Sequence, residues 1–331
     1  MKKVPWILLN SLAVLLVAGV AAGLLWSSDP SGPARPEGDS GARTADNGPG
    51  RIISLAPSIT EVLFALGLGD RVVGVTRYCD FPPEALTVPR VGGYLDVNYE
   101  AALGREPDLV VLLREHEEAR ERFERFGIEV MAVDHSKVDG ILGSIESIAQ
   151  RCGIREEGIF LRRKLVERID RIRGAIALST PRPLAPSSSP STRDPRPTVM
   201  VAVGRSLESG AAGEVFVSGR DGFYDDLIRL AGGVNAYADD TLKLPALSAE
   251  GISRLDPDVI IEMVPDVHDP SAGDRMAERW KSIPALEAAV EGRVHVLGGD
   301  YVVVPGPRFV LLLEDMARLI HPNLQWDRII R

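Results

Sequence analysis

Five arginines and two tyrosines have the type and setting to hold a bulky small molecule: Arg77, Arg114, Arg205, Arg220 and Arg308, with Tyr78 and Tyr94. The arginines fall at or near expected strand ends and in glycine-rich turns. There a guanidinium fork can meet carboxylate or phosphate oxygens. Arg308 is the most constrained, because Pro305, Gly306 and Pro307 restrict the backbone just before a helical pattern. Aromatic residues make up only 5% of the chain, so a tyrosine in a turn is informative. A ring laid against a planar ligand buries roughly 150–250 Å² when fully covered.

Signatures of catalysis are missing. His116, His135, His268, His295 and His321 are scattered, and His116-Glu-Glu-Ala-Arg120 lacks the second histidine of a zinc-protease helix. Gly67-Leu-Gly69 lacks the third glycine of a dinucleotide loop, and Gly204-Arg-Ser206-Leu-Glu208 carries glutamate where a nucleophile elbow needs glycine. No catalytic residue, resident metal or cofactor is therefore expected, and the chain is read as a binding protein and not an enzyme. A net charge of -9, without a basic stripe, argues against nucleic acid as a partner. Cys79 and Cys152 match no metal spacing; they either pair or remain free thiols.

Two further carboxylates stand out by repetition. Residues 98–111, Asn98-Tyr-Glu100 through Pro107-Asp108-Leu-Val-Val111, lie over residues 248–261, Ser248-Ala-Glu250 through Pro257-Asp258-Val-Ile-Ile261, at a constant offset of 150 and without a gap. Each copy predicts a capping residue, a glutamate in the first helical turn, a short helix, a Pro-Asp turn and a buried strand. A first-turn carboxylate favours the helix dipole by about 0.3–1 kcal/mol. The same pair also supplies one acidic dock per lobe for a partner that presents basic residues symmetrically.

The elements that must position these groups follow a βα alternation. Apolar runs at 52–55, 72–75, 109–113 and 128–133 predict strands, with an amphipathic helix after Pro57 and a charged surface helix over 115–126. That pattern implies a parallel sheet covered on both faces. From 156 to 178, Leu161, Leu165, Ile169, Ile172 and Ile176 fall on one face of a helix about 34 Å long. Six prolines among serines in 179–197 then forbid helix and sheet. Strands at 199–203, 259–263 and 294–297 and helices at 224–230 and 309–320 repeat the style of the first half.

Before all this, Lys2 and Lys3 precede an apolar run over 7–26 with Trp6 and Trp26 at its ends, long enough to cross a bilayer or to serve as an export signal. No cysteine follows it directly to carry a lipid. The organisation is thus a transmembrane anchor or signal (1–26), a flexible linker (27–50), an N-terminal lobe (51–155), a backbone helix (156–178), a Pro/Ser-rich loop (179–197) and a C-terminal lobe (198–331). The fold class is α/β: two Rossmann-like lobes with parallel-type sheets joined by one long helix and preceded by an N-terminal transmembrane helix.

Arg51-Ile-Ile-Ser-Leu-Ala-Pro57-Ser58-Ile-Thr60-Glu61, Tyr78-Cys79-Asp80-Phe81-Pro82-Pro83, Val91-Gly92-Gly93, Phe216-Val-Ser218-Gly219, Leu230-Ala-Gly232-Gly233-Val-Asn235 and Pro307-Arg308 form an ordered set. Together they resemble the substrate-binding proteins of ABC importers for cobalamin, haem and ferric siderophores, over residues 52 to about 320. The resemblance is nearest to the cobalamin-binding members. It implies a cargo of cobalamin, haem or a ferric siderophore, a permease with its ATPase as partners, docking through Glu100 and Glu250, and a cleft lined by Tyr78 and Tyr94; the apolar run with Lys2 and Lys3 before it independently predicts one span in the cell membrane with the lobes extracytoplasmic. Leu113 and Leu244 occupy positions where those members carry tryptophan, and Ala231 stands in place of a cysteine. The alternatives are a haem or siderophore sensor on the same fold, or an anchored enzyme acting on corrinoids or haem.

Overall fold

The computed structural model describes residues 48–179, 194–205, 214–239, 241–267 and 269–329. The expected membrane anchor, nearly all of the linker and most of the Pro/Ser-rich loop lie outside these residues. Among the described residues no helix is long and apolar enough to cross a membrane.

In the N-terminal lobe, β1 (Ile52–Ser54), β2 (Val72–Val75), β3 (Leu109–Leu113) and β4 (Glu129–Val133) form a parallel sheet in the order β2-β1-β3-β4. Helix α1 (Pro57–Ala65) starts where Ala56 is extended and Pro57 takes a first-turn position that needs no N–H, and Gly67 at φ 75 turns the chain away after it. Then come α2 (Tyr99–Leu103), α3 (Glu117–Arg125) and α4 (Val138–Arg151). Side chains alternate across the strands: Ile53, Val110 and Leu112 pack with Phe123 of α3, while Ile52, Leu109 and Val111 pack with α1 and α4.

Helix α5 (Arg155–Ser179) runs for about 37 Å. The C-terminal lobe adds β5 (Thr198–Arg205), β6 (Val215–Val217), α6 (Phe223–Leu230), β7 (Val234–Asn235), β8 (Ala246–Leu247), α7 (Ala249–Leu255), β9 (Val259–Val264), α8 (Pro270–Glu278), α9 (Glu287–Val290), β10 (Val294–Gly298), α10 (Phe309–Ile320) and α11 (Trp326–Ile329). Strands β10, β9 and β5 are parallel, and β7 joins β5 in the same sense; β6 and β8 extend the far edge antiparallel. The second sheet is therefore mixed, where the sequence implied a parallel one. Strands of two or three residues are too short to leave a periodic signal.

Leu165, Ile169, Ile172 and Ile176 of α5 are buried in one cluster that also contains Val111 of the first sheet and Val201 of the second. One helix thus contributes apolar surface to both lobes. Arg168 of α5 donates to Glu314 of α10 at 2.6 Å, and the backbone N–H of Val138, first residue of α4, donates to Asp226 of α6 at 3.0 Å.

Candidate functional site

Most of the residues singled out in the first half gather where the strands of the N-terminal sheet end. Arg77 follows β2, pairs with Asp96 at 2.6 Å and lies 5.8 Å from the Tyr78 ring; both charged side chains are more than half exposed. The turn carrying Tyr78 is held by Arg90, which donates to the carbonyls of Thr76 (3.0 Å) and Cys79 (2.8 Å) and to Asp80 (3.2 Å). Tyr94 donates its hydroxyl to Glu115 at 2.9 Å and meets His116 edge-on, with ring centroids 4.4 Å apart. Burial and the nearby carboxylate hold the Tyr94 hydroxyl above its ordinary range, so it stays a donor. Arg114 follows β3 and pairs with Asp134 at 3.3 Å, in an exposed setting. Surface pairs of this kind contribute only about 0–1 kcal/mol, so an anionic ligand can replace the partner at small cost.

In the C-terminal lobe Arg205 ends β5. Its Nε donates to Glu262 at 2.8 Å, and the guanidinium lies 4.3 Å from the ring of Trp280. Glu262 is buried in the middle of β9 and also accepts the Trp280 indole N–H at 2.8 Å. This arginine is therefore fixed and only about a quarter exposed. Arg220 is exposed after Gly219, in the turn that leads to α6.

Arg308 requires a correction. It caps α10 but does not offer a free guanidinium: Nη2 donates to Glu61 of α1 at 2.6 Å and to Asp300 at 2.7 Å, Nη1 donates to Asp300 at 2.8 Å, and the group lies 3.7 Å from the Phe81 ring. With only 8% of the side chain exposed, two carboxylates and a ring occupy both terminal nitrogens and one face of the group. Leu113, expected at a ring position of a cleft, is a core residue of β3; Leu244 is about half exposed.

Contacts between the lobes show how the two sheets face. Glu61 and Phe81 follow strands β1 and β2, Arg308 and Asp300 follow β10, and Lys137, after β4, pairs with Asp221. The carboxyl ends of the two sheets are thereby turned toward each other, the position where open α/β sheets bind ligands.

Away from that edge, Glu100 and Glu250 are exposed in the first turns of α2 and α7. The caps match as well: Asn98 accepts from the N–H of Ala101 at 3.0 Å, and Ser248 from that of Gly251 at 3.2 Å. Sequence reasoning missed what the Pro-Asp turns do. Asp108 accepts from the N–H groups of Gly50 (2.9 Å) and Arg51 (3.0 Å), and Asp258 accepts from the N–H of Thr198 at 2.7 Å. Each aspartate ties the start of its lobe's first strand. The residues two positions earlier, Glu106 and Asp256, share a positive φ of 46° and 40°. The offset of 150 was the signal that the two turns are one device.

His135 is buried between Ser58 and Ser144, 2.8 Å from each hydroxyl, and burial pulls it down to about 4. Neither ring nitrogen of the buried His116 has a hydrogen-bond partner among the described residues. Cys79 and Cys152 are both buried and free. Among the described residues no three His, Cys, Asp or Glu side chains gather to hold a metal ion. A shallow apolar depression of 530 Å³, lined by Gly174, Ala175, Leu178, Leu324 and Ile329 beside α5, contains none of the expected site residues.

With two lobes, a helical brace and opposed strand ends in place, comparison with known proteins is decisive. Residues 52–301 match the family described as periplasmic binding protein. The chain belongs to this family. The chain is 27% identical over 269 residues to a vitamin B12-binding protein of Vibrio cholerae serotype O1, covering 81% of this chain and 87% of that one. It is 28% identical over 280 residues to YvrC of Bacillus subtilis, an uncharacterised ABC transporter substrate-binding lipoprotein, covering 83% and 81%. Among solved structures it is similar to the periplasmic haem-binding protein RhuT of Roseiflexus sp. RS-1 in apo form, at a TM-score of 0.65 and 26% identity over 83% of this chain and 99% of that one.

Proposed function

We propose that this chain is the extracytoplasmic substrate-binding component of an ABC importer and that its cargo is a cobalamin-like corrinoid or an iron complex such as haem or a ferric siderophore. The carrying observation is the pairing of two facing strand-end surfaces with an exposed first-turn glutamate at matching positions of both lobes. Relatives named for vitamin B12 and haem binding support the cargo class. In this reading Tyr78 and Tyr94 lie against the cargo, Arg77, Arg114, Arg205 and Arg220 meet its anionic groups, and Glu100 and Glu250 present the loaded protein to arginines of a permease. The permease's ATPase supplies the energy; this chain contributes recognition and no catalysis. Residues 1–26 hold it at the membrane, with the lobes outside.

The test is titration of the purified chain with cyanocobalamin, haemin and a ferric hydroxamate, followed by absorbance and calorimetry. Saturable binding of at least one, weakened at least tenfold when Tyr78 and Tyr94 are both replaced by alanine, is expected. Failure to bind any of the three would refute the cargo class, and unchanged affinity in the double variant would remove the tyrosines from the site.

A further inference from the structure

The Glu61–Arg308 contact joins residues 247 positions apart and crosses from one lobe to the other. Glu61 sits one turn into α1, behind the carboxyl end of β1; Arg308 stands at the start of α10, beyond the carboxyl end of β10. Both side chains are nearly inaccessible, 3% and 8% exposed, whereas the other ion pair of the facing surfaces, Lys137–Asp221, is open to solvent. Arg308 also lies over Phe81, in the same turn as Tyr78, so one guanidinium grips the N-terminal lobe at two places. Gly306 completes the fit: a β-carbon there would come within 2.7 Å of Glu61 Oε2.

From this geometry we infer that Glu61 and Arg308 are a positioning pair, a buried charge-compensated tie that fixes the separation of the two lobes and hence the width of the crevice between their strand ends.

The physics of buried charge supports the tie and tells how to break it. Removing one partner of a buried pair strands the other charge in a poor medium, whereas replacing both by neutral groups is often tolerated. Glu61 has little to spare, because among the described residues Oε2 has no hydrogen-bond partner, and neither has Nε of Arg308. Burial, the larger influence, outweighs the attraction of Arg308 and pushes the Glu61 carboxyl up to about 7. Arg308, flanked by Glu61 and Asp300, is held charged throughout. Glu61 is therefore the member that takes up a proton. Other charges near the pair are Asp300, which is partly exposed, and Asp80 with its partner Arg90 on the Phe81 turn. A lobe arrangement that buries Glu61 binds this proton more tightly than one that exposes it, so acid favours the joined arrangement.

Applied to the reading above, the tie sets the space the cargo enters, but its test needs no cargo. Cys79 and Cys152 are fully buried, so spin labels can be directed to Glu124→Cys and Glu287→Cys, at exposed positions one on each lobe. Distance distributions are then recorded for the ligand-free full chain at pH 8 and pH 5.5. The chain with Arg308 and Glu61 intact should give a narrow distribution at pH 8. Arg308→Met should broaden and lengthen it at pH 8, and at pH 5.5, where Glu61 is neutral, should lose part of that excess without reaching the parent's width. Glu61→Gln combined with Arg308→Met, which strands no charge but has no tie, should fold even if Arg308→Met alone does not and should give a distribution broader than the parent's and the same at both pH values. The inference is overturned if Arg308→Met matches the parent at pH 8, or if the double variant is as narrow as the parent. Loss of cyanocobalamin or haemin binding in the parent would bear on the cargo and leave these distances interpretable.

Discussion

Among single residues, those buried with an unusual protonation state have the clearest consequences. His135 is neutral in the folded chain because burial pulls it from its ordinary 6.5 to about 4, and both ring nitrogens face serine hydroxyls. A base depressed in this way contributes stability that is complete above 6.5 and disappears as pH falls toward 4. The contribution is on the order of 3 kcal/mol, from the 1.36 kcal/mol carried by each pKa unit. Glu61 works against it in an overlapping window, since a raised carboxyl favours the folded state as pH falls from about 7. Chemical denaturation at pH 7.5 and pH 5 should show the parent losing stability relative to His135→Gln on acidification. An equal change in both proteins would contradict a buried neutral histidine. The sequence disclosed none of this: His135 looks like a surface histidine because its partners Ser58 and Ser144 come from two different helices. The placement of Tyr78, Tyr94, Arg77 and Arg114 beside a strand end or a glycine turn could be read locally from the sequence. Arg308 misled for the same reason, since local backbone restriction says nothing of a carboxylate 247 residues away.

At the level of elements, legibility followed periodicity. The stripe of Leu165, Ile169, Ile172 and Ile176 located α5 to within a residue at each end, and the long apolar strands lie within one or two residues of their expected ends. Helix α4 was missed although Val138, Ile141, Leu142, Ile145, Ile148 and Ala149 repeat at helical spacing and are buried; Gly140, Gly143, Ser144 and Ser147 dilute its propensity, and packing decides the outcome. Because α5 lends its stripe to a cluster shared by both lobes, damage to it should be felt in both. Ile172, 1% exposed, is the central residue. Ile172→Ala should cost about 2–5 kcal/mol. Fluorescence of Trp280 in the C-terminal lobe and hydrogen exchange of β3 amides in the N-terminal lobe should report a common loss. If only one lobe were weakened, the helix would belong to that lobe and not brace the pair.

For the whole molecule, the decisive feature is a duplication that sequence alone revealed and coordinates gave meaning. Glu100 and Glu250 share an offset of 150 with their caps, with the aspartates that tie each first strand and with the two positive-φ residues before those aspartates. A bare first-turn glutamate serves its own helix; a duplicated and exposed one, on two lobes that share one long helix, suits a partner whose two basic sites are equally spaced. Glu250 also pairs with Arg254 one turn on, a contact so exposed that a competing arginine can displace it. Replacing both glutamates by arginine should leave cargo affinity and thermal stability within experimental scatter of the parent, while association with the permease falls at least a hundredfold. Single replacements should fall between, because either lobe alone still docks and the rigid brace lets one contact raise the effective concentration of the other. Uptake in reconstituted vesicles, paired with a pull-down at low and physiological salt, measures this. Undiminished uptake by the double variant would mean that the matching glutamates only cap their helices and that the membrane partner grips another face.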